Sequence, residues 1–219
     1  MSARLFSWQW THVVLEMEHG RRTSRRRRKK RAFPVPRICA VKPYIADMLW
    51  RTPPARSRRS PPSGFVRPCQ PTLVGRPPAG PEWLHEVKHD GYRIICRKEG
   101  DKATLWTRHG TNFTERLSTI AEAVRRLPAE RALVDGEAVA FRPDGHSDFA
   151  ALRTKAGASK ASFVAFDLLT LDEDDYRQRP LEERRQALSR LIAGVDGLVF
   201  SQAIAAEGAL VFAKACDAR

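Results

Sequence analysis

Positive charge and proline are concentrated in the first third of this 219-residue chain, and this asymmetry constrains which part can fold. Residues 1–80 hold 18 basic and 3 acidic residues, together with 11 of the 15 prolines. Residues 81–219 hold 21 basic and 22 acidic residues, so they are almost neutral. Because like charges repel and proline interrupts helices and sheets, we expect the packed core to come from the later residues.

The change of composition divides the chain into two regions. Residues 1–64 form a basic arm rich in proline and arginine, centred on the run from Arg21 to Arg31, and we expect this arm to be disordered. Residues 65–219 have the composition of a globular domain, and the chain has no apolar run long enough to span a bilayer. One interpretation is that the arm binds the phosphates of DNA or RNA. The alternatives are a non-specific basic tail, or translated sequence upstream of the natural start.

Short apolar runs predict an α+β fold for residues 65–219. Six runs favour strands: Trp83 to Val87, Tyr92 to Arg97, Ala103 to Thr107, Leu133 to Phe141, Phe163 to Leu171 and Leu198 to Ser201. Three helices are predicted: one after Thr114, one opened by Pro180, and one from Glu207 to Cys216. Strands and helices do not alternate regularly, so antiparallel or mixed sheets with flanking helices fit better than a βαβ repeat.

One run of nine residues, His85 to Arg93, concentrates the reactive side chains. It places Lys88 at the end of a predicted strand, and the alternation of side chains puts Glu86 and Lys88 on one side of that strand. A turn at Asp90-Gly91 then brings Arg93 back towards the same space. A lysine held in this way can act as a nucleophile, although Lys-x-Asp-Gly is also compatible with a solvated hairpin turn.

The same run resembles the nucleotidyltransferase motif of ATP-dependent DNA ligases, with Glu86, Lys88, Asp90, Gly91 and Arg93 at the matching positions. Three further motifs follow in that family's order: Thr107-Arg108-His109-Gly110, similar to S-R-x-G; Asp135-Gly136-Glu137, similar to D-G-E; and Phe166-Asp167-Leu168-Leu169, similar to F-D-x-L. The flanks, Pro77 to Glu86 and Arg179 to Arg185, are similar to the bacterial end-joining ligases. The resemblance covers residues 65–219.

The resemblance implies a role for each matching residue. Lys88 corresponds to the nucleophile that attacks the α-phosphorus of ATP, releases pyrophosphate and carries AMP. The other positions are implied to bind the nucleotide: Glu86 at the adenine amino group, Arg93 and Arg108 at the ribose and phosphates, Glu137 at the ribose, and Phe166 stacked on adenine. ATP and Mg²⁺ (or Mn²⁺) are the implied cofactors, with Glu137 as a candidate metal ligand.

The resemblance also implies a setting for the protein. The implied fold is an ATP-grasp-like nucleotidyltransferase domain, and the implied substrate is nicked or broken DNA in repair and recombination. DNA end-joining proteins are implied as partners, and association with a membrane is not implied. The implied location is the bacterial cytoplasm, at the nucleoid when the protein is bound to DNA.

Two later elements of the family have no match before Arg219: the E-G-x-V motif, and a lysine pair that contacts the α-phosphate. The OB-fold domain that clamps DNA is also unmatched. The run from Glu207 to Val211 has one residue too many for E-G-x-V. We therefore expect a truncated domain that adenylates weakly or not at all, because its electrostatic stabilisation of the transition state is incomplete.

Plainer interpretations of the same residues are open at this stage. Phe166 would be an ordinary core residue, Asp135-Gly136-Glu137 a strand bulge with solvated acids, and Arg108 an exposed hairpin residue. His89 and His109 are interpreted as bystanders. For the whole chain, one alternative is a noncatalytic nucleic-acid-binding fragment that uses the basic arm. Another is an RNA ligase or capping-type nucleotidyltransferase, which shares Lys-x-Asp-Gly.

Overall fold

A computed structural model of the chain describes residues 60–70, 77, 80, 83–204 and 210–211. They fall into two compact units. The larger unit comprises residues 60–69 and His89–Gln202, and the smaller unit comprises the described residues within Gln70–Lys88 and Ala203–Arg219. Nearly all of the predicted basic arm lies outside the described residues, as does most of the helix predicted from Glu207 to Cys216.

The described elements form an α+β arrangement, as the sequence predicts. The strands are β1 (His85–Glu86), β2 (Tyr92–Glu99), β3 (Lys102–Thr107), β4 (Arg131–Val139), β5 (Ser162–Leu171), β6 (Asp174–Asp175), β7 (Leu198–Phe200) and β8 (Ala203–Ile204). The helices are α1 (Ser118–Arg125), α2 (Phe149–Leu152), α3 (Lys155–Ala158) and α4 (Leu181–Ile192), with a 3-10 turn at Tyr176–Gln178. Within these ranges no helix has both the length and the apolar character needed to cross a membrane.

The larger unit is built on a six-stranded sheet with the order β3-β2-β4-β5-β6, to which β7 is added by pairing with β5. Neighbouring strands run antiparallel except β5 and β7, which are parallel. A tight turn joins β2 to β3, and Gly100 makes it with φ of 53°, a value that side-chain-bearing residues seldom adopt. The prediction of antiparallel or mixed sheets is therefore confirmed.

Different residues cover the two faces of this sheet. On the first, here called the helical face, buried strand residues pack with α1 and α4; among those exposed by at most 1% are Ile94, Leu105, Phe163 and Leu168. On the second face the buried apolar cluster is small and consists of Ile95, Trp106, Leu133 and Leu169. Phe65 and Val66 pack against that smaller cluster. The two clusters separate because successive side chains of a strand point to opposite faces.

Helix α4 begins immediately after Pro180, as predicted, and buries Leu188, Leu191 and Ile192. The same helix buries Arg184, which apolar spacing does not predict. The Arg184 guanidinium donates to the carboxylate of Asp167 at 2.9 Å and to the carbonyl oxygen of Arg179 at 2.7 Å. A buried ion pair between the side chains of Arg184 and Asp167 thus connects α4 to β5.

The smaller unit contains β1 and β8, which pair antiparallel with His85 opposite Ile204 and Glu86 opposite Ala203. The strand predicted from Trp83 to Val87 is therefore too long, because the observed strand ends at Glu86. Lys88 lies beyond the strand, so strand alternation does not reach it, and the placement of Glu86 and Lys88 on one side stays a prediction. The strand is short because β8 offers two residues as pairing partners.

Candidate active site

Arg93 is held in a fixed orientation near the start of β2. In the pairing of β2 with β4 it lies opposite Glu137. Its guanidinium donates from Nε to Oδ1 of Asp135 at 2.9 Å and from a terminal nitrogen to Oδ2 at 2.8 Å. The Asp135 side chain is 5% exposed and the Arg93 side chain 19%. Two parallel bonds fix the plane of the guanidinium, so its remaining donors have a defined direction.

The ring of Phe166 lies against this guanidinium, with Cζ of Arg93 4.8 Å from the ring centroid. Phe166 is half-buried, whereas its chain neighbours Ala165 and Asp167 are buried. The interpretation of Phe166 as an ordinary core residue is therefore wrong. A partly exposed aromatic ring beside a fixed cation provides a flat surface on which a nucleotide base can stack.

Two motif glycines allow the strands that carry these side chains to approach closely. A Cβ on Gly91 would lie 2.2 Å from the carbonyl oxygen of Ala138 and 2.9 Å from Cγ of Glu137. A Cβ on Gly136 would lie 2.4 Å from the ring of Phe163. Both positions need glycine because there is no space for a side chain, and Gly91 thereby sets the start of β2 against Glu137.

Asp135 and Glu137 occupy different environments on either side of Gly136. The pairing of β4 with β5 shifts register between Asp135 and Gly136, so the predicted bulge at this motif is present. The two acids are not both solvated, because Asp135 is buried and Glu137 half-buried. Burial raises the pKa of the Asp135 carboxyl, and the Arg93 guanidinium opposes that shift.

The motif resemblance implies no separate role for Asp135. The sequence does contain a signal that Asp135 is paired. An acid within the apolar run of β4 needs a cationic or hydrogen-bonding partner when the strand is buried. That partner, Arg93, is 42 residues distant in the chain. The sequence therefore indicates that a partner exists without showing which basic residue it is.

Arg108 follows β3, and its backbone is hydrogen-bonded to the backbone of Arg93. Its amide donates to the carbonyl oxygen of Arg93 at 3.1 Å. Its side chain is exposed and donates from Nε to Nε2 of His109 at 3.0 Å, which agrees with the exposed-hairpin interpretation. The structure thus brings four of the predicted residues to one end of the larger sheet: Arg93, Arg108, Glu137 and Phe166.

The other two predicted residues, Glu86 and Lys88, belong to the smaller unit. Both are half-buried, Glu86 in β1 and Lys88 in the segment that follows it. The next residue, His89, belongs to the larger unit, where its ring meets Phe141 edge-on with 5.5 Å between centroids. Its Nδ1 lies 3.5 Å from the hydroxyl of Ser147. The interpretation of His89 as a bystander does not predict these contacts.

A ready-made metal centre is absent from the described ranges, where no three His, Cys, Asp or Glu side chains are grouped to hold an ion. The Asp135 carboxylate is already engaged by Arg93. Mg²⁺ can nevertheless bind with one or two protein carboxylates when substrate phosphates provide other ligands. Glu137 is the half-buried carboxylate that fits this requirement, and its role as a ligand stays a prediction.

Comparisons with known proteins extend the motif resemblance over most of the chain. The family described as "ATP dependent DNA ligase domain" matches residues 76–217. The multifunctional non-homologous end joining protein LigD of Pseudomonas aeruginosa is 37% identical over 177 residues, which are 75% of this chain and 21% of that protein. DNA ligase C of Mycobacterium tuberculosis is 36% identical over 125 residues, 52% of this chain and 35% of that protein.

A solved structure shares the fold. The crystal structure of the ligase domain of M. tuberculosis LigD matches with a TM-score of 0.54 and 27% identity, over 62% of this chain and 44% of that chain. The chain spans about a fifth of the LigD relative and about a third of the ligase C relative.

Proposed function

The chain belongs to the ATP-dependent DNA ligase family, and from this we propose that it forms a lysine–AMP intermediate on Lys88. In this step Nζ of Lys88 attacks the α-phosphorus of ATP. A nitrogen–phosphorus bond forms, the bond from the α-phosphorus to the bridging oxygen breaks, pyrophosphate leaves and the amine loses a proton. AMP then passes to the 5′-phosphate of nicked or broken DNA, and the 3′-hydroxyl displaces it to seal the strand.

The observation that carries the proposal is the grouping of Arg93, Glu137 and Phe166 at one end of the larger sheet. Arg93 lies over the Phe166 ring and opposite Glu137, so a fixed cation, an aromatic surface and a carboxylate share one region. A nucleotide offers phosphates, a flat base and ribose hydroxyls, which complement these three groups.

Each predicted site residue keeps the role that the resemblance implies. In this proposal Arg93 and Arg108 contact the ribose and phosphates, Phe166 stacks on the adenine, and Glu137 accepts from the ribose. Glu86 accepts from the adenine amino group. When bound, Mg²⁺ would neutralise phosphate charge, and Glu137 is the residue that would hold it.

DNA is favoured over RNA as the substrate. The two relatives are named as a DNA ligase and as a non-homologous end joining protein, and both are bacterial. We therefore propose that the substrate is a nick or break in DNA, and that the protein acts in bacterial end joining with other proteins of that process. Its location in this proposal is the cytoplasm, at the nucleoid when it is bound to DNA.

The experiment is to incubate the full chain with Mg²⁺ and ATP radiolabelled at the α-phosphate, and then to separate the protein under denaturing conditions. Of the two outcomes expected from the unmatched later motifs, weak adenylation or none, this proposal requires the first. We therefore expect a weak covalent label that disappears in Lys88→Ala. The matched control is Lys102→Ala, which removes an exposed lysine of β3 outside the motifs and should keep the label. Label that persists in Lys88→Ala would contradict the proposal, as would the absence of label from the unaltered chain.

A further inference from the structure

Two buried carboxylates lie opposite each other on β4 and β5. Asp135 and Asp167 are partners in the register of these strands, and their side chains are 5% and 2% exposed. Residues directly opposite on neighbouring antiparallel strands have their Cβ atoms about 5 Å apart. Two like charges at that distance repel each other strongly where water is excluded. Each carboxylate therefore needs a cation of its own.

Two arginines from different elements supply these cations. Arg93 of β2 binds Asp135 through two hydrogen bonds. Arg184 of α4 donates from Nε to Oδ1 of Asp167 at 2.9 Å, and from a terminal nitrogen to the carbonyl oxygen of Arg179 at 2.7 Å. The second bond fixes the direction from which Arg184 approaches the carboxylate. Two ion pairs thus lie side by side, and one of them belongs to the candidate active site.

The charges of the two pairs act on one another and on Cys69. Burial raises the pKa of Asp167 to about 7, Arg184 opposes that shift, and the negative charge of Asp135 adds to it. Burial also raises the pKa of the Cys69 thiol, and the charges of both ion pairs contribute to this shift. The four charged groups therefore share one electrostatic environment, in which removing one cation affects the remaining pair.

The Asp167 carboxylate also lies next to the bulge that carries Phe166. Asp167 and Ala165 are opposite successive residues of β4, so Phe166 between them is the extra residue of β5. A bulge changes the direction of the side chain that it carries, and such bulges are common next to active sites. Because Arg184 connects Asp167 to α4, it holds one end of this bulge in place.

We propose that Arg184 is a positioning residue for the candidate active site, an inference that rests on the proposed function. Arg184 neutralises Asp167, so that this acid does not compete with Asp135. The Arg93 guanidinium then keeps both of its bonds to Asp135 and its place over the Phe166 ring. A nucleotide therefore meets a cation and an aromatic ring in a defined arrangement.

Removing Arg184 would disturb Arg93 in either ionisation state of Asp167. As a carboxylate, Asp167 would attract the Arg93 guanidinium away from Asp135. As a neutral acid, Asp167 can donate a hydrogen bond to Asp135 and compete with the guanidinium there. In both cases Arg93 loses its fixed orientation.

The next residue of α4, Arg185, provides a matched control. It is buried like Arg184. Its guanidinium donates to the carbonyl oxygen of Ser201 at 2.7 Å, and its Cζ lies 4.8 Å from the centroid of the Phe200 ring. Arg185→Met therefore removes a buried arginine from the same helix while the ion pair of Asp167 stays intact.

Calorimetric titration of the full chain with ATP tests this role. Arg184→Met should weaken ATP binding about tenfold or more, as expected when a charged group loses a hydrogen bond. Arg184→Lys keeps a positive charge beside Asp167 and should retain most of the affinity, as should Arg185→Met. Unchanged affinity in Arg184→Met, or equal losses in Arg184→Met and Arg185→Met, would overturn the proposal.

A double variant distinguishes positioning of Arg93 from attachment of α4 to the sheet. Arg184→Met combined with Asp167→Leu lacks the ion pair, but it also lacks the acid that competes for Arg93. ATP affinity should therefore recover, since an apolar pair of similar volume can replace a buried ion pair. The absence of recovery would mean that Arg184 only attaches α4, against the proposal. If circular dichroism shows that Arg184→Met is unfolded, Arg184→Gln replaces it, and equal ATP affinity in Arg184→Gln and Arg184→Lys is then the contradicting result.

The NMR signal of the Arg93 Nε–H group gives a measurement that needs no ATP. This group donates to Asp135, and its signal is identified by its absence from Arg93→Lys. The signal should move or broaden in Arg184→Met, return in the double variant with Asp167→Leu, and stay unchanged in Arg185→Met. An unchanged signal in Arg184→Met would contradict the positioning role.

Labelling at Lys88 separates this inference from the proposed function. If the unaltered chain binds ATP but carries no Lys88-dependent label, the lysine–AMP proposal fails and the ATP affinities of the variants decide the role of Arg184. If the unaltered chain binds no ATP, the proposed function fails and the Arg93 signal decides that role. Normal label with an unchanged Arg93 signal in Arg184→Met overturns the positioning role alone.

Discussion

The two faces of the larger sheet contribute differently to the protein. The helical face is covered by a continuous apolar cluster that includes residues of α1 and α4. The second face has a cluster of four buried apolar residues. It also carries Asp135, which lies opposite Ile95 of that cluster in the pairing of β2 with β4. The comparison indicates that the helical face supplies most of the hydrophobic stabilisation, whereas the second face holds a buried ion pair that orients the candidate site.

The largest expected effect comes from breaking the ion pair on the second face. Asp135→Ala leaves the Arg93 guanidinium without its partner, so the free energy of unfolding should fall by about 3–5 kcal/mol. ATP binding should be lost with the orientation of Arg93. Denaturant unfolding and titration calorimetry measure the two effects. In contrast, Asp174→Ala removes an exposed partner of Arg179 and should cost at most about 1 kcal/mol. Similar losses in the two variants would contradict the comparison.

Truncation on the helical face should reduce stability without changing the site. Leu168 is fully buried in the larger cluster, so Leu168→Ala should lower the free energy of unfolding by about 2–5 kcal/mol. The folded variant should bind ATP as the unaltered chain does. Its chain neighbour Leu169 belongs to the smaller cluster and is 9% exposed, so Leu169→Ala should cost less. A larger loss of stability in Leu169→Ala than in Leu168→Ala would contradict the distinction between the faces. Weaker ATP binding in Leu168→Ala would also contradict it.

Removing the half-buried ring of Phe166 should weaken ATP binding and leave stability nearly unchanged, which is the reverse of the result expected for Leu168→Ala. Phe166→Ala should weaken ATP binding by about 1–3 kcal/mol, the usual contribution of stacking one base on one aromatic ring. The free energy of unfolding should change little, because part of the ring is already in contact with solvent. Calorimetric titration with ATP measures the effect, and Phe166→Tyr, which keeps the ring, should retain most of the affinity. Unchanged affinity in Phe166→Ala would remove Phe166 from the proposed site.

An effect confined to a range of pH concerns the second buried pair, between Asp167 and Arg184. Burial raises the pKa of Asp167 to about 7, and Arg184 opposes that shift. Because the folded state holds the proton more tightly than the unfolded chain, this contribution to stability is fully present below about pH 4. It is lost as the pH rises to about 7.

Replacing Asp167 tests that pH dependence. Asp167→Asn should remove a slope of up to about 1.4 kcal/mol per pH unit from the free energy of unfolding in this window. Asp175→Asn is the control, because a hydrogen bond from Arg177 lowers the pKa of Asp175 to about 2, so that any effect falls below pH 4. An unchanged slope in Asp167→Asn would contradict the prediction.

Much of the fold could be predicted because it depends on neighbouring residues. Short apolar runs indicate β2, β3 and β5, and the position of Pro180 predicts the start of α4. The length of β1 was not predictable in the same way. That strand ends where its pairing with Ala203–Ile204 ends, more than 100 residues later in the chain.

The sequence by itself determined that the chain carries the ordered motifs around Lys88, Arg108, Glu137 and Phe166, because a motif is a spacing along the chain. Only the tertiary structure decided that Arg93 is held by Asp135 and lies over Phe166, and that the acids of the D-G-E motif differ in burial. Those facts depend on the register between β2, β4 and β5, and on a bulge between Asp135 and Gly136. Register is set by contacts between residues far apart in sequence, so local patterns do not contain it.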